Sequence, residues 1–515
     1  MLCSFCFFVF VLLVFVGCSS NHSEEILDTP NQSEDSLETR LPSLFIMLPE
    51  EDLDSILRNK NYKTSAYAVL VSSGGDTLFC DYLTHIKSRG NSTFTRADKK
   101  SFSIKLRNHK QLLSLKDGKR FTLLANAFDR SYIRNAIALD LATEMGVPAP
   151  CYEFISLYFN SEYKGLYQMT NKVEECIDIN RIEGFLIEKT GLSLDNPIEI
   201  ILPKHISEHE NDSMTELFKR KIAYLSNSSE TDESIDEWIQ DNIDISSFAR
   251  YYLLQEITHN MDGGVNSFFM YGINETAKLY AGPAWDFDLS ITPTHNEKWT
   301  YSEWSNCEWS NNEIISNSRI ETDGAVYPYL ILYYLNKNER FRDTVEYIYK
   351  NEISNCCHKY LESGRIDSLV SLLQMEAARD YEKNFPSLNI DYLIEAQTVR
   401  TFLSQRIDFL DWYFDTKPNE KICVTFRDAW WGEKWSRTIQ IWLPAKNPIF
   451  IPKPLSEVPY NNSPTYQLYY AGTDSIVLEG AIIKPCETLE LRWHYPTWRE
   501  VQYRRIKKKL RILFG

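Results

Sequence analysis

The sequence predicts an α+β chain in two lobes, a β-rich first part and a helical second part, followed by a small β module. Three observations predict it. Between residues 41 and 202, short apolar runs alternate with turn signals. From about residue 207, apolar positions recur at helical spacing. From Pro418 the composition shifts to short runs rich in Trp, Tyr, Thr, Val and Pro. At 515 residues the chain suggests two or three domains, and 43% hydrophobic with 24% charged residues is a globular composition able to bury a large core.

The elements follow in order. Residues 44–48 form a short apolar strand. Residues 67–71 and 77–79 flank Ser72-Ser73-Gly74-Gly75-Asp76, a hairpin signal. Residues 83–88 and 102–106 form a further pair, 153–159 and 164–169 another hairpin, and 184–188 one more strand. A helix over 129–145 interrupts them, with Ile133, Ile137, Leu141 and Met145 on one face and Gly146 and Pro148 ending it. The later part gives helices over 212–225, 234–240 and 248–259, the last capped by Ser246 or Ser247. Three or four more helices follow between 326 and 414, with Ser387 as a cap near Ile390. The module from 417 to 515 ends in a basic tail, Arg504 to Arg511, read as a solvated surface.

The first forty residues read as targeting. Residues 5–16 are unbroken apolar, too short for a comfortable membrane span and of the length of a signal-peptide core. Val16-Gly17-Cys18 resembles the bacterial lipoprotein signal, although no Lys or Arg precedes the apolar run. The expectation is a signal peptide over 1–17, a lipidated Cys18, and a disordered polar tether to residue 40. This makes the chain a lipid-anchored envelope protein outside the cytoplasm, at the outer membrane or cell surface. Of eleven cysteines, Cys3 and Cys6 fall in the signal and Cys18 is the lipidation site; the remaining eight hold no CxxC pair, which argues against a zinc site. A net charge of −16 argues against a general nucleic-acid binder.

The chemistry concentrates between Asp262 and Asp288. The string Asp262-Gly-Gly-Val-Asn266 is followed, after a segment able to form a hairpin, by Trp285-Asp286-Phe287-Asp288. An Asp closely followed by an Asn, with a second Asp some twenty residues on, is the acidic pattern of a phosphoryl-transfer centre. One Asp orients a hydroxyl nucleophile; the Asn and the later Asp hold metal ions on nucleotide phosphates. Asp and Asn oxygens suit Mg²⁺ or Mn²⁺. Cationic groups must meet the phosphates, and Lys99, Lys100, Arg134 and Lys172 are the candidates. A carboxylate must position such a lysine; Glu188 is the first choice and Glu174 the second. Each has a structural reading too. Asp262 can end the preceding helix in a turn with Gly263, Arg134 can pair with Asp129, and of adjacent Lys99 and Lys100 only one can face a site from a strand.

Further strings occur in order: Lys87-Ser-Arg89-Gly90-Asn91-Ser92, Lys99-Lys100-Ser101-Phe102-Ser-Ile-Lys-Leu106, Asp129-Arg130-Ser131-Tyr-Ile-Arg134-Asn135, Gly165-Leu-Tyr167, Lys172-Val-Glu174 and Gly184-Phe-Leu-Ile-Glu188. With Asn260, Asp262, Asn266, Asp286 and Asp288, these resemble the CotH family of atypical kinases over roughly 41–416. The resemblance implies a two-lobed atypical protein-kinase-like fold that uses ATP and a divalent metal on Ser or Thr hydroxyls of a protein substrate. By it Asp262 matches the catalytic Asp, Asp286 the metal-binding Asp and Asn266 the second metal ligand. Asp288 either helps hold metal or braces the loop. Two other readings stay open: a kinase-like surface scaffold or glycan- or protein-binding lipoprotein without transfer, and transfer of AMP.

Overall fold

The computed structural model describes residues 41–177, 184–189, 198–204, 206–225, 232–260, 263, 266–274, 278–291, 314–315, 319–322, 325–328, 330–430, 435–445, 465–470, 473, 475 and 488–494. It separates into two compact units. The first runs to Ala125 and adds Glu153–Met169 and Met375–Ser387; the second holds Asn126–Tyr152, Thr170–Gln374 and the chain from Leu388.

The first unit is built on β1 (Ser43–Met47), α1 (Glu50–Arg58), β2 (Thr64–Val71), β3 (Thr77–Arg89), the single turn α2 (Ser92–Arg96), β4 (Ser101–Lys110) and β5 (Gly118–Leu124). After α3 (Arg134–Glu144) the chain returns as the hairpin β6 (Tyr152–Phe159) and β7 (Glu162–Asn171). The strands close into a barrel in the order β1-β2-β3-β4-β5-β7-β6, with β1 and β6 parallel. Closure leaves no open edge. Leu44, Ile46, Ile86, Phe102, Ile104, Phe121, Leu157 and Phe159 are all at most 2% exposed and set the inward side of the alternation. Phe102 packs edge-on against Phe159 at 5.0 Å. Burying each such side chain contributes about 1.5–3 kcal/mol.

The second unit continues with β8 (Phe185–Lys189), β9 (Ile198–Leu202), α4 (Glu208–Leu225), α5 (Asp232–Asn242), α6 (Ile245–Thr258), β10 (Phe268–Gly272) and β11 (Tyr280–Ala281). These strands make a sheet ordered β11-β10-β8-β9. Next come β12 (Arg319–Thr322), β13 (Ala325–Pro328), α7 (Leu330–Leu335), α8 (Glu339–Ile348), α9 (Ser354–Glu362), α10 (Arg365–Asn384) and α11 (Tyr392–Asp415). Strands β14 (Lys421–Trp430), β15 (Trp435–Pro444), β16 (Thr465–Tyr470) and β17 (Thr488–His494) close the order. The terminal β module is a sheet ordered β13-β12-β15-β14-β17-β16, so it recruits the hairpin β12–β13 from far upstream. Helix α6 is its unit's centre: it packs on α3, α8, α11 and β11.

The α+β class, the β-rich first part, the helical second part and the terminal β module are as the sequence predicts. Boundaries shift for local reasons. Helix α3 starts at Arg134 and not at 129, because the buried Asp129 carboxylate takes the N–H groups of Ser131 and Arg134, both at 2.9 Å, and fixes 129–133 as a turn. Asp244, not Ser246 or Ser247, caps α6; it accepts the Ser247 N–H at 2.8 Å. Asp391, not Ser387, caps α11 through Leu393 and Ile394. Helix α1 was not foreseen: its buried side consists of Leu53 and Ile56 alone, too few for a periodic signal.

Candidate active site

Helix α6 is the platform. Its residues from Tyr251 to Thr258 are all buried. Arg406 of α11, itself fully buried, donates to the Glu256 carboxylate at 2.9 Å and to its carbonyl at 2.7 Å. The helix ends at His259, whose φ of 48° is left-handed; its ring packs on Phe402 with centroids 5.6 Å apart. That cap turns the chain sharply into Asn260.

Asp262 lies outside the described residues, as does Cys18. The residues around Asp262 show a crowded corner. Gly263 is buried, and a Cβ there would stand 2.2 Å from the Gln255 Oε1 and 2.6 Å from the Asn260 Nδ2. Asn266 is half-buried. Its neighbour Ser267, with φ 53°, donates its hydroxyl to the Asp286 Oδ2 at 3.2 Å. From Phe268 the chain enters the hairpin β10–β11, where Met270 faces Ala281 and Tyr271 faces Tyr280. This is the hairpin the sequence pattern implies, and it brings the Asn266 and Asp286 segments side by side.

The loop after β11 is held at its 286–287 and 288–289 peptides. The Asp286 carbonyl accepts from Asn260 Nδ2 at 3.4 Å, the Phe287 N–H donates to Asn135 Oδ1 at 2.9 Å, and the Asp288 carbonyl accepts from Arg134 Nη1 at 3.2 Å. Phe287 is fully buried, Asp288 half-buried, and Asp286 presents an exposed side chain. Asp286 has φ 70°, a left-handed conformation that costs a non-glycine residue of order 1–3 kcal/mol. Asp286 and Asp288 lie in a loop, outside any strand.

Beneath this loop two polar groups are buried without a hydrogen-bond partner among the described residues, the Tyr251 hydroxyl and the Gln255 amide. Burial, and then the Asp286 charge, push the Tyr251 phenol well above its usual range, so it stays neutral. Orphaned polar atoms next to an exposed carboxylate suit a site that binds a polar ligand. Among the described residues no three His, Cys, Asp or Glu side chains converge as a metal cluster. One carboxylate, one amide and the phosphates of a nucleotide nevertheless make a normal Mg²⁺ set, because that ion keeps several waters. The donors present fit it.

The other candidates are placed as follows. Lys99 is buried in the first unit, where its ammonium bonds Asp380 at 2.8 Å and the Leu166 carbonyl at 2.6 Å. Lys100 donates to the carbonyls of Phe94 at 2.7 Å and Ala97 at 2.5 Å. Arg134 is buried and pairs with Asp129 at 3.3 Å while reaching the Asp288 carbonyl. Lys172 is half-buried just before the 3-10 turn Val173–Glu175; Glu174 in that turn pairs with Lys204 at 2.6 Å. Glu188 lies half-buried in β8, opposite Phe269 and Glu199. Asn266, Asp286, Asp288 and Arg134 come together; Lys99 and Lys100 are engaged within their own unit.

Sequence reasoning missed a second cationic group. The registers of β3, β4 and β5 align His85, Lys105 and Arg120 in one row and Lys87, Ser103 and Thr122 in the next. Both rows lie on the barrel's outer face, since Ile86, Ile104 and Phe121 point inward. Lys105 stands directly across from Arg120, a like-charge pair that is destabilising unless an anion screens it. Lys87 and Lys105 have no hydrogen bond or ion pair among the described residues, although both are only half-exposed. The signal was present in the period-two spacing of Lys87 with Arg89 and of Ser101, Ser103 and Lys105. Asn135 and Asn260 were also missed as loop holders.

A barrel-based β unit and a helix-based unit make a two-part α+β protein. Residues 86–410, well over half of the chain, match the CotH kinase protein family, and the chain belongs to that family. Among solved structures it is similar to the proinflammatory kinase CtkA of Helicobacter pylori, at 8% identity and a TM-score of 0.26, covering 61% of this chain and 94% of that one. The comparison with curated proteins found no match.

Proposed function

We propose that this CotH-family chain transfers the ATP γ-phosphoryl group to Ser or Thr hydroxyls of an envelope or extracellular protein. The observation that carries the reading is the meeting of the Asn266–Ser267 segment with Asp286, fixed by the 3.2 Å hydrogen bond from Ser267. Asn266 and Asp286 would hold Mg²⁺ or Mn²⁺, with Asp288 as brace or additional ligand. A divalent ion bound there supplies charge neutralisation across the phosphates.

Asp262, by the family resemblance, orients the substrate hydroxyl and accepts its proton as the oxygen attacks the γ-phosphorus. The bond from that phosphorus to the bridging oxygen breaks, and ADP leaves. Positioning and charge carry the rate, since the protein does little covalent work. The ammonium groups of Lys99 and Lys100 are already bonded within the first unit. Lys172 and Glu188 remain the proposed cation and acid on the second unit. Anchoring through Cys18 would put this activity outside the cytoplasm.

The test incubates the purified chain with ATP labelled at either the α or the γ phosphorus, with Mg²⁺ or Mn²⁺. Label from the γ position and an added mass of one phosphoryl group support the proposal. Label from the α position means AMP transfer, and no metal-dependent nucleotide binding by calorimetry means a scaffold.

A further inference from the structure

The string from Asn126 to Asn135 stands apart from the site in sequence, yet it supplies two of the hydrogen bonds that fix the Asp286 loop. Asn135 sits in the first turn of α3 and is 5% exposed. Its Nδ2 donates to Asn126 Oδ1 at 3.2 Å, which leaves its Oδ1 to accept the Phe287 N–H at 2.9 Å. Asn126 in turn donates to the Tyr132 carbonyl at 3.3 Å, so the amide orientation is set along the whole relay. Arg134, one residue earlier, is held from the other side. Its backbone N–H donates to the Asp129 carboxylate at 2.9 Å, its guanidinium forms an ion pair with that carboxylate at 3.3 Å, and Nη1 reaches the Asp288 carbonyl.

We infer that Asn135 and Arg134 are positioning residues that clamp the peptides after Asp286 and after Asp288 and thereby hold Asp286 in its left-handed, metal-ready conformation. The inference rests on the proposed role of Asp286. A left-handed aspartate relaxes unless its surroundings over-determine it. Here the clamp is the determinant: Asn135 fixes the peptide after Asp286 and Arg134 the peptide after Asp288, while the Asp286 carboxylate stays exposed. Neither clamp residue needs to touch nucleotide or metal. Groups that orient metal ligands through one intervening bond typically change metal affinity about 10–100-fold when removed.

The test measures Mn²⁺ affinity by electron paramagnetic resonance on the purified full chain, with no turnover, beside ADP affinity in EDTA and thermal melting. Asn135→Ala is expected to weaken Mn²⁺ binding about 10–100-fold while metal-free ADP affinity holds. Arg134→Lys keeps a cation against Asp129 and so keeps the fold; it should shift Mn²⁺ binding the same way, by less. This variant decides the matter if Asn135→Ala does not fold. Wild-type Mn²⁺ affinity in a folded variant overturns the inference, and so does a parallel loss of ADP binding, which marks general damage. Failure of the wild-type chain to bind Mn²⁺ overturns the kinase reading itself, and this inference with it.

Discussion

Lys99 and Asp380 form a fully buried ion pair, 2.8 Å between Nζ and Oδ2, although 281 positions separate them in the chain. The Asp380 Oδ1 also accepts the Leu166 N–H at 3.1 Å and an Asn384 Nδ2 bond at 2.7 Å. The carboxylate is thus satisfied on both oxygens, and Gly165 leaves it room: a Cβ there would stand 2.0 Å from Oδ1. The arrangement ties the 375–387 segment to β7 and to the start of β4.

Lys99→Ala is accordingly expected to destabilise the first unit by about 3–5 kcal/mol, because it strands a buried carboxylate. The double substitution Lys99→Met with Asp380→Leu should cost less than the single one. Denaturant unfolding measures both. A stable Lys99→Ala protein that has lost nucleotide binding would show that the lysine serves the nucleotide and not the fold.

Much of this was legible in the sequence where one local rule decided the outcome. The 72–76 hairpin follows from Gly75, whose φ of 92° only a glycine adopts readily, and the β10–β11 hairpin from period-two alternation. The approach of Asn266 to Asp286 follows from that same hairpin. What stayed hidden depends on long-range pairing. Lys99 looks like a phosphate ligand until Asp380 arrives on α10, and Lys105 gains its neighbours only when strand register is known. The pairing of β12 with β15 joins segments more than a hundred residues apart, which no window of sequence reports.

Asp286→Asn tests charge against shape. Asn is among the few residues that tolerate a left-handed backbone, so the loop geometry should survive. The Ser267 hydroxyl can still donate to the remaining oxygen. Loss of the carboxylate should lower phosphate incorporation on the order of a hundredfold or more, with an unchanged melting temperature. Wild-type incorporation by this variant, measured with γ-labelled ATP, would rule Asp286 out as a metal ligand.

Glu395 on α11 gives a pH signature. Burial pushes its carboxyl above the ordinary 4.5; the Arg134 charge opposes the shift and Asp129 adds to it. A raised folded-state value means that the fold prefers the protonated acid. The resulting stability is complete below the unfolded value and disappears as pH rises through the raised one. At neutral pH the ionised carboxylate is therefore a burden. Glu395→Gln, neutral at every pH, should melt higher than the wild type at pH 7, and the gap should close towards pH 4. Melting curves of the two proteins across that range read the difference directly. A gap that widens on acidification would mean that the Arg134 attraction, not burial, governs this carboxyl.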